Sequence, residues 1–450
     1  MRERRIVRVV ALGVALAACA RTAQAQDTAR VRPPSRTITL PQAISIALSE
    51  NNAIRFARNN TALDSLSVRL ARNAFLPNLS ATSQASQRAL SGSQGQNSFG
   101  ANGNLSSNIT LYNGGQNRNI LRQAQQNLQA SGFDLGRTRQ LVVFTVASDF
   151  LNLITQQEQL RVQQENLTAQ EEELRQLQEF VNRGTRPIGD LYQQQAAVAS
   201  TRLALANARR ATENAKVDLI QELVLDPRVE WVFETPVANG PAAQQSFRLD
   251  SLVDVALRQR VDIQAQLFRV RAAETEVAIA RGGRLPTVTG SAGFGSDFTT
   301  TGDQGLFQQL DARRGGSIGV GVQVPIFDRG AVSVARQRAQ VLLENELLTL
   351  RDAEQSVALE VRRAYLDYLA AEEQLAASTA QQEAAALALR AAQARYQVGS
   401  STFIEVTLAR AQLIQAQSAV VSSRSAVVFQ QALMSYYTGV LDPSTVRLDR

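Results

Sequence analysis

The sequence predicts a mixed α+β membrane protein made of two repeats. Each repeat is a helix, two β-strands and a long coiled-coil helical hairpin. Three observations carry this. The stretches "LPQAISIALSENN" from Leu40 and "LDSLVDVALRQRV" from Leu249 open two matching halves. Apolar residues recur every seven positions over some thirty-five residues in each half, with Gln382 the exception in the second. Between opening and heptads lie segments that alternate with period two, as in "SIGVGVQVPIFDRG", Ser317 to Gly330.

The N-terminus comes first in order. "MRERR" is a positive start, "IVRVVALGVALAA" a short apolar run, and "AQA" (Ala23 to Ala25) a small-x-small cleavage site, so residues 1–25 read as an export signal. Leu16-Ala17-Ala18-Cys19 offers a second reading, a lipobox in which Cys19 is lipidated. Cys19 is the only cysteine, so the mature chain is expected to hold no internal disulfide. Five arginines in this segment carry much of the net charge of +7. What remains is too weak a bias for a nucleic-acid partner. No later stretch is apolar and long enough to span a bilayer as a helix.

The repeats follow, over 38–225 and 249–440, joined by a linker at 226–248 that holds Pro227, Pro236, Gly240 and Pro241. Each opening helix runs to a Leu-Pro pair, Leu76-Pro77 and Leu285-Pro286, at a constant offset of 209 residues. Strands are expected over about 78–112 and 286–327, with polar loops over 90–103 and 299–315. Leu105, Ser107, Ile109 and Leu111 alternate with Ser106, Asn108 and Thr110; Ile318, Val320, Val322 and Val324 alternate with Gly319, Gly321 and Gln323. "LYNGGQ" and "IFDRGA" then turn the chain into helix, glycine permitting the turn. By this point the offset has grown to 215.

Hairpins are expected over about 116–225 and 330–438. Val146, Leu153, Leu160, Leu167, Leu174 and Val181 mark the first seam; Val361, Tyr368, Leu375, Gln382, Leu389 and Tyr396 mark the second. The first helix of each hairpin would be about 100 Å long at 1.5 Å per residue. The helices break at "NRGTRPIGD" and "QVGSSTFIE", where Gly184 and Gly399 end one helix.

A strand of about ten residues crosses a bilayer when tilted, with lipid-facing and water-facing side chains alternating. No sheet edge can stay open in lipid. About four strands per chain fall short of the smallest usual barrel of about eight, so several chains must share one barrel. A two-layer extracellular sandwich on a helical stalk is the soluble alternative, but glycine-rich strand faces would pack poorly. An enzyme is disfavoured: there is no histidine, and neither a phosphate-binding glycine loop nor a nucleophile elbow is present. No cofactor or metal site is expected.

The paired "L-x-x-A-I/V-x-x-A-L" openings, the Leu-Pro strand entries, "YNGG" and "FDRG", and "RYQVGSSTFIEVTLARAQL" (Arg395 to Leu413) resemble the TolC-type outer-membrane efflux proteins over about residues 38–440. The resemblance implies a homotrimer with a twelve-stranded barrel in outer-membrane lipid and a twelve-helix periplasmic tunnel. It implies a passive duct served by a periplasmic adaptor and an inner-membrane pump or ABC exporter, for small molecules or for secreted protein. It also assigns tip residues. Tyr396 stands at the position of a tyrosine that holds the tunnel entrance closed. Glu405 and Asp190 stand at acidic positions. Gly184 and Gly399 mark the hairpin tips where an adaptor docks. Two positions depart from the family: Ser401 replaces an arginine and Leu408 an acidic residue. Arg186, two after Gly184, offers an arginine in the other hairpin, and is expected to reach Asp190 or Glu405. Each of these has a plainer reading. Asp190 and Glu405 could simply complement helix dipoles, and Tyr396 could be seam packing. The structural alternative for the whole chain is a periplasmic coiled-coil adaptor without membrane strands.

Overall fold

The computed structural model describes residues 36–88, 98–234, 247–300 and 305–440. The export signal and Cys19 lie outside them. The chain runs β1 (Arg36–Ile38), α1 (Leu40–Glu50), α2 (Asn52–Asn73), β2 (Asn78–Arg88), β3 (Ser98–Asn113), α3 (Gln116–Asn182), α4 (Ile188–Glu222) and β4 (Trp231–Phe233). The second half follows with α5 (Leu249–Gln259), α6 (Val261–Gly282), β5 (Thr287–Thr299), α7 (Leu306–Ala312), β6 (Gly315–Gln323), α8 (Ala331–Gln397) and α9 (Phe403–Tyr437).

The repeat holds residue for residue in the helices. Both halves have helices of 11, 22, 67 and 35 residues. Each opening helix expected as one element is in fact two. The breaks fall at Asn51 and Arg260, whose ψ of 131° and 124° leave the helical region. Side-chain chemistry compensates each break differently. Asn51 Oδ1 accepts from the Ala53 N–H at 2.8 Å, and its Nδ2 donates to the Glu222 carbonyl and carboxylate. Arg260, buried, pairs with Asp262 and with Glu360 of α8, both at 2.5 Å.

The sheet order is β2-β3-β5-β6, antiparallel throughout. Its register puts Leu79, Leu105, Ile109, Val288, Ala292, Phe294, Ile318, Val320 and Val322 on one face. The other face is Ser80, Thr82, Asn104, Ser106, Asn108, Thr289, Ser291, Ser317 and Gln323, with glycines between. β3 begins at Ser98, inside the expected polar loop, because the alternation persists there with Phe99 and Ala101 on the apolar face. The loop expected at 299–315 contains α7. In one chain the apolar face is exposed, and β2 and β6 are open edges.

Midway along α3, β1 and β4 pair in parallel and lie on a core of Ile44, Val146, Phe150, Leu219 and Phe233. Phe150 is fully buried, edge-on to Phe233; truncating such a side chain costs about 3–5 kcal/mol. A matching core in the second half joins Ala256, Ile263, Val357 and Val361. Among the described residues no helix is long and apolar enough to cross a membrane.

Candidate functional site: the hairpin tips

The two tips are built alike. Gly184 and Gly399 sit at φ 71° and 77°, where a side chain would be strained although open space surrounds both. Their turns close the helix ends: Thr185 N–H donates to the Phe180 carbonyl and Ser400 N–H to the Arg395 carbonyl, each at 2.9 Å. Asp190 and Glu405 then fall in the first turns of α4 and α9, where the helix dipole favours a carboxylate.

The tips meet through Tyr396. Its hydroxyl donates to Asp190 Oδ2 at 2.8 Å, and its ring lies 5.5 Å from that of Phe403. Burial, then the hydrogen bond and charge of Asp190, push its phenol well above the ordinary range. Tyr396 is thus both seam packing and a polar contact. The Arg186 guanidinium carbon stands 4.1 Å from the centre of the Tyr396 ring. Its Nη2 donates to the carbonyls of Tyr396 at 2.7 Å and Gln397 at 3.3 Å.

Arg186 therefore does not pair with Asp190 or Glu405 within the chain, contrary to the sequence expectation. The last carbonyls of α8 carry the negative end of a long helix and lie within its reach. Glu405 is held instead by Arg395 and the Ser401 hydroxyl. Of the four tip residues expected from the sequence, Arg186, Asp190 and Tyr396 lie in one cluster, while Glu405 sits apart with Arg395 and Ser401.

One charged contact was missed altogether. Arg410 of α9 pairs with Glu173 of α3 at 2.5 Å, both largely buried. Burial raises the Glu173 carboxyl above its usual range although Arg410 opposes this. The signal was present: Arg410 interrupts the apolar seam Phe403, Val406, Leu413 at heptad spacing. This pair and Tyr396 border a groove of about 1020 Å³ between the two hairpins, walled also by Leu177, Phe180 and Leu389. Among the described residues no cluster of metal-ligating side chains occurs.

The duplicated strand-and-hairpin plan and paired tips now stand beside known proteins. The outer membrane efflux protein family matches residues 43–223 and 252–439. The chain belongs to that family. An outer membrane efflux protein is a channel of the outer membrane and not an enzyme, which removes the adaptor and soluble-sandwich readings. Among relatives, the pyoverdine export outer membrane protein OpmQ of Pseudomonas putida is 26% identical over 71% of this chain and 66% of its own length. Protein CyaE of Bordetella pertussis is 26% identical over 74% of this chain and 70% of its own. The fold matches solved structures of CusC (TM-score 0.78, 18% identity, 89% and 92% of the two chains) and of VceC from Vibrio cholerae (TM-score 0.74, 20% identity, 89% and 96%).

Proposed function

We propose that three copies of this chain close one twelve-stranded barrel in the outer membrane, continued by a twelve-helix tube. The assembly is the passive exit duct of a tripartite efflux or type I secretion system. The observation that carries this reading is the two-faced sheet with both edges open. Unpaired amides at β2 and β6 would cost several kcal/mol each in lipid. The four strands alternate in direction, so β6 of one copy can pair antiparallel with β2 of the next. Two copies would make eight strands, whose interior is only wide enough for side chains. The small polar face of Ser, Asn, Thr and Gly suits a wider, water-filled lumen.

The internal repeat supports the same contact between copies. α6 packs on α3, with Thr275 Oγ1 donating to Gln126 Oε1 at 2.8 Å. The equivalent pair is Leu66 on α2 and Val341 on α8, which do not meet within the chain. Leu66 is 52% exposed where Thr275 is 7% exposed, and Leu63 is 61% exposed where Ala272 is 5%. Copy one thus leaves bare the face that copy two covers, and α8 of a neighbouring copy fits it.

At the narrow end, Arg186, Tyr396 and Asp190 hold the entrance closed, and the tips around Gly184 and Gly399 receive a periplasmic adaptor. An inner-membrane pump or ABC exporter supplies the energy and selects the cargo, small molecule or protein. Planar-bilayer recording of the purified protein tests the duct: small, steady conductance that rises when the tip contacts are removed is expected. Absence of any conductance in wild type and tip variants alike would contradict it.

A further inference from the structure

We infer that α7 is an interfacial helix that lies on the outer leaflet of the membrane and anchors the barrel rim through Leu306, Phe307 and Leu310. The inference rests on the membrane reading of the sheet. α7 joins β5 to β6 at the end of the sheet remote from the long helices, hence at the outer rim. Pairing of β5 with β6 stops at Gly295–Gly315, and α7 takes the vacated edge beside residues 296–299. Gln309, buried, substitutes for a strand there: its Nε2 donates to the Thr299 carbonyl at 3.0 Å and its Oε1 accepts from the Thr299 N–H at 3.1 Å.

The side on which the helix sits is set by two contacts. Ser296 belongs to the apolar face by alternation with Ala292 and Phe294, and its hydroxyl donates to the Leu310 carbonyl at 2.6 Å. Arg313, just past the helix, pairs with Asp297 of the polar face at 2.8 Å. The charged end of the segment is therefore turned toward the lumen side and the helix toward the lipid side. Leu306, Phe307 and Leu310 stand at i, i+1 and i+4, on one side of the helix; Gln308 faces away, and Asp311, one turn after Phe307, borders that side and pairs with Arg314 at 2.9 Å. Phe307 is 84% exposed. An exposed phenylalanine and leucine on a short amphipathic helix suit the boundary between headgroups and acyl chains. They continue the apolar face, where Phe99 and Phe298 pair at 6.5 Å near the same end, as in an aromatic girdle. Lipid is the occupant this continuity selects, ahead of a neighbouring copy or the lumen.

Tryptophan quenching by brominated lipid tests it. Trp231 is the only tryptophan, so Phe307→Trp and Val320→Trp are each placed in a Trp231→Phe background and the assembled channel is reconstituted in phosphatidylcholine vesicles. Bromines sit either near the headgroup or deep in the chains. The expected result is loss of Phe307→Trp emission mainly to the shallow bromines and of Val320→Trp emission mainly to the deep ones. Unquenched emission at Phe307→Trp beside a quenched Val320→Trp would overturn the proposal. Blue-shifted emission would then place the ring against a neighbouring copy, and red-shifted emission would place it in water or the lumen. No quenching at either site would overturn the barrel reading and the proposal with it.

Discussion

The Tyr396 hydroxyl donates a 2.8 Å hydrogen bond to Asp190, tying the end of α8 to the start of α4 across two repeats. A hydrogen bond to a charged group contributes about 1.5–3 kcal/mol. Tyr396→Phe should therefore raise single-channel conductance by favouring a looser entrance. Arg186→Ala should do the same, because it removes the cation over the ring and two bonds to helix-end carbonyls. The double variant should gain less than the sum of the singles, since all these contacts share one ring. Wild-type conductance in Arg186→Ala would refute the closing role.

Ion selectivity should be weak. Glu405 already shares its charge with Arg395, and Leu408 is exposed where the family resemblance expects an acid. Reversal potentials in a salt gradient should show a mild cation preference that Leu408→Asp strengthens. A strong preference that survives Glu405→Gln would count against this account.

A half-buried acidic group makes stability depend on pH. Burial, then the charges of Glu222 and Asp218, raise Asp149 from 3.8 to about 6. The folded chain thus holds this proton more tightly than the unfolded chain. The stability linked to it is complete below about pH 3.8, falls through the window up to about 6, and stays lost above. Asp149→Asn should raise the melting temperature at pH 8, by an amount that shrinks toward pH 4. Thermal melting followed by circular dichroism checks this, and an equal gain at both pH values would exclude the linkage.

The interface between copies can be trapped. Leu66→Cys with Val341→Cys should give disulfide-linked dimers and trimers on a denaturing gel. Thr275→Cys with Gln126→Cys occupies the equivalent place inside one chain and should give none. Monomer alone from the first pair would rule out the proposed contact.

Much of this architecture was legible in the sequence because it is periodic. Two halves at constant offset announced the repeat, seven-residue spacing from Val146 to Val181 announced the seam, and alternation from Ile318 to Val322 announced the strand. Features that depend on a distant partner were not legible. The breaks at Asn51 and Arg260 are stabilised by Glu222 and Glu360, far along the chain. β1 and β4 are three residues each and exist by pairing with one another. α7 is held by the edge of β5, and Arg186 found helix-end carbonyls because backbone acceptors carry no sequence signature. Arg329 shows the same limit: it takes φ 54° where Gly114 takes 67°. Only at Gly114 does the Gly282 carbonyl, 2.3 Å from a built Cβ, exclude a side chain.

In the proposed assembly, four strands per chain close only by sharing one barrel among three chains. The mass of the detergent-extracted particle, from light scattering corrected for bound detergent, tests it most directly. Three chains per particle are expected. A monodisperse particle of one chain would contradict it, because a four-stranded sheet with two open edges cannot seal itself in a membrane.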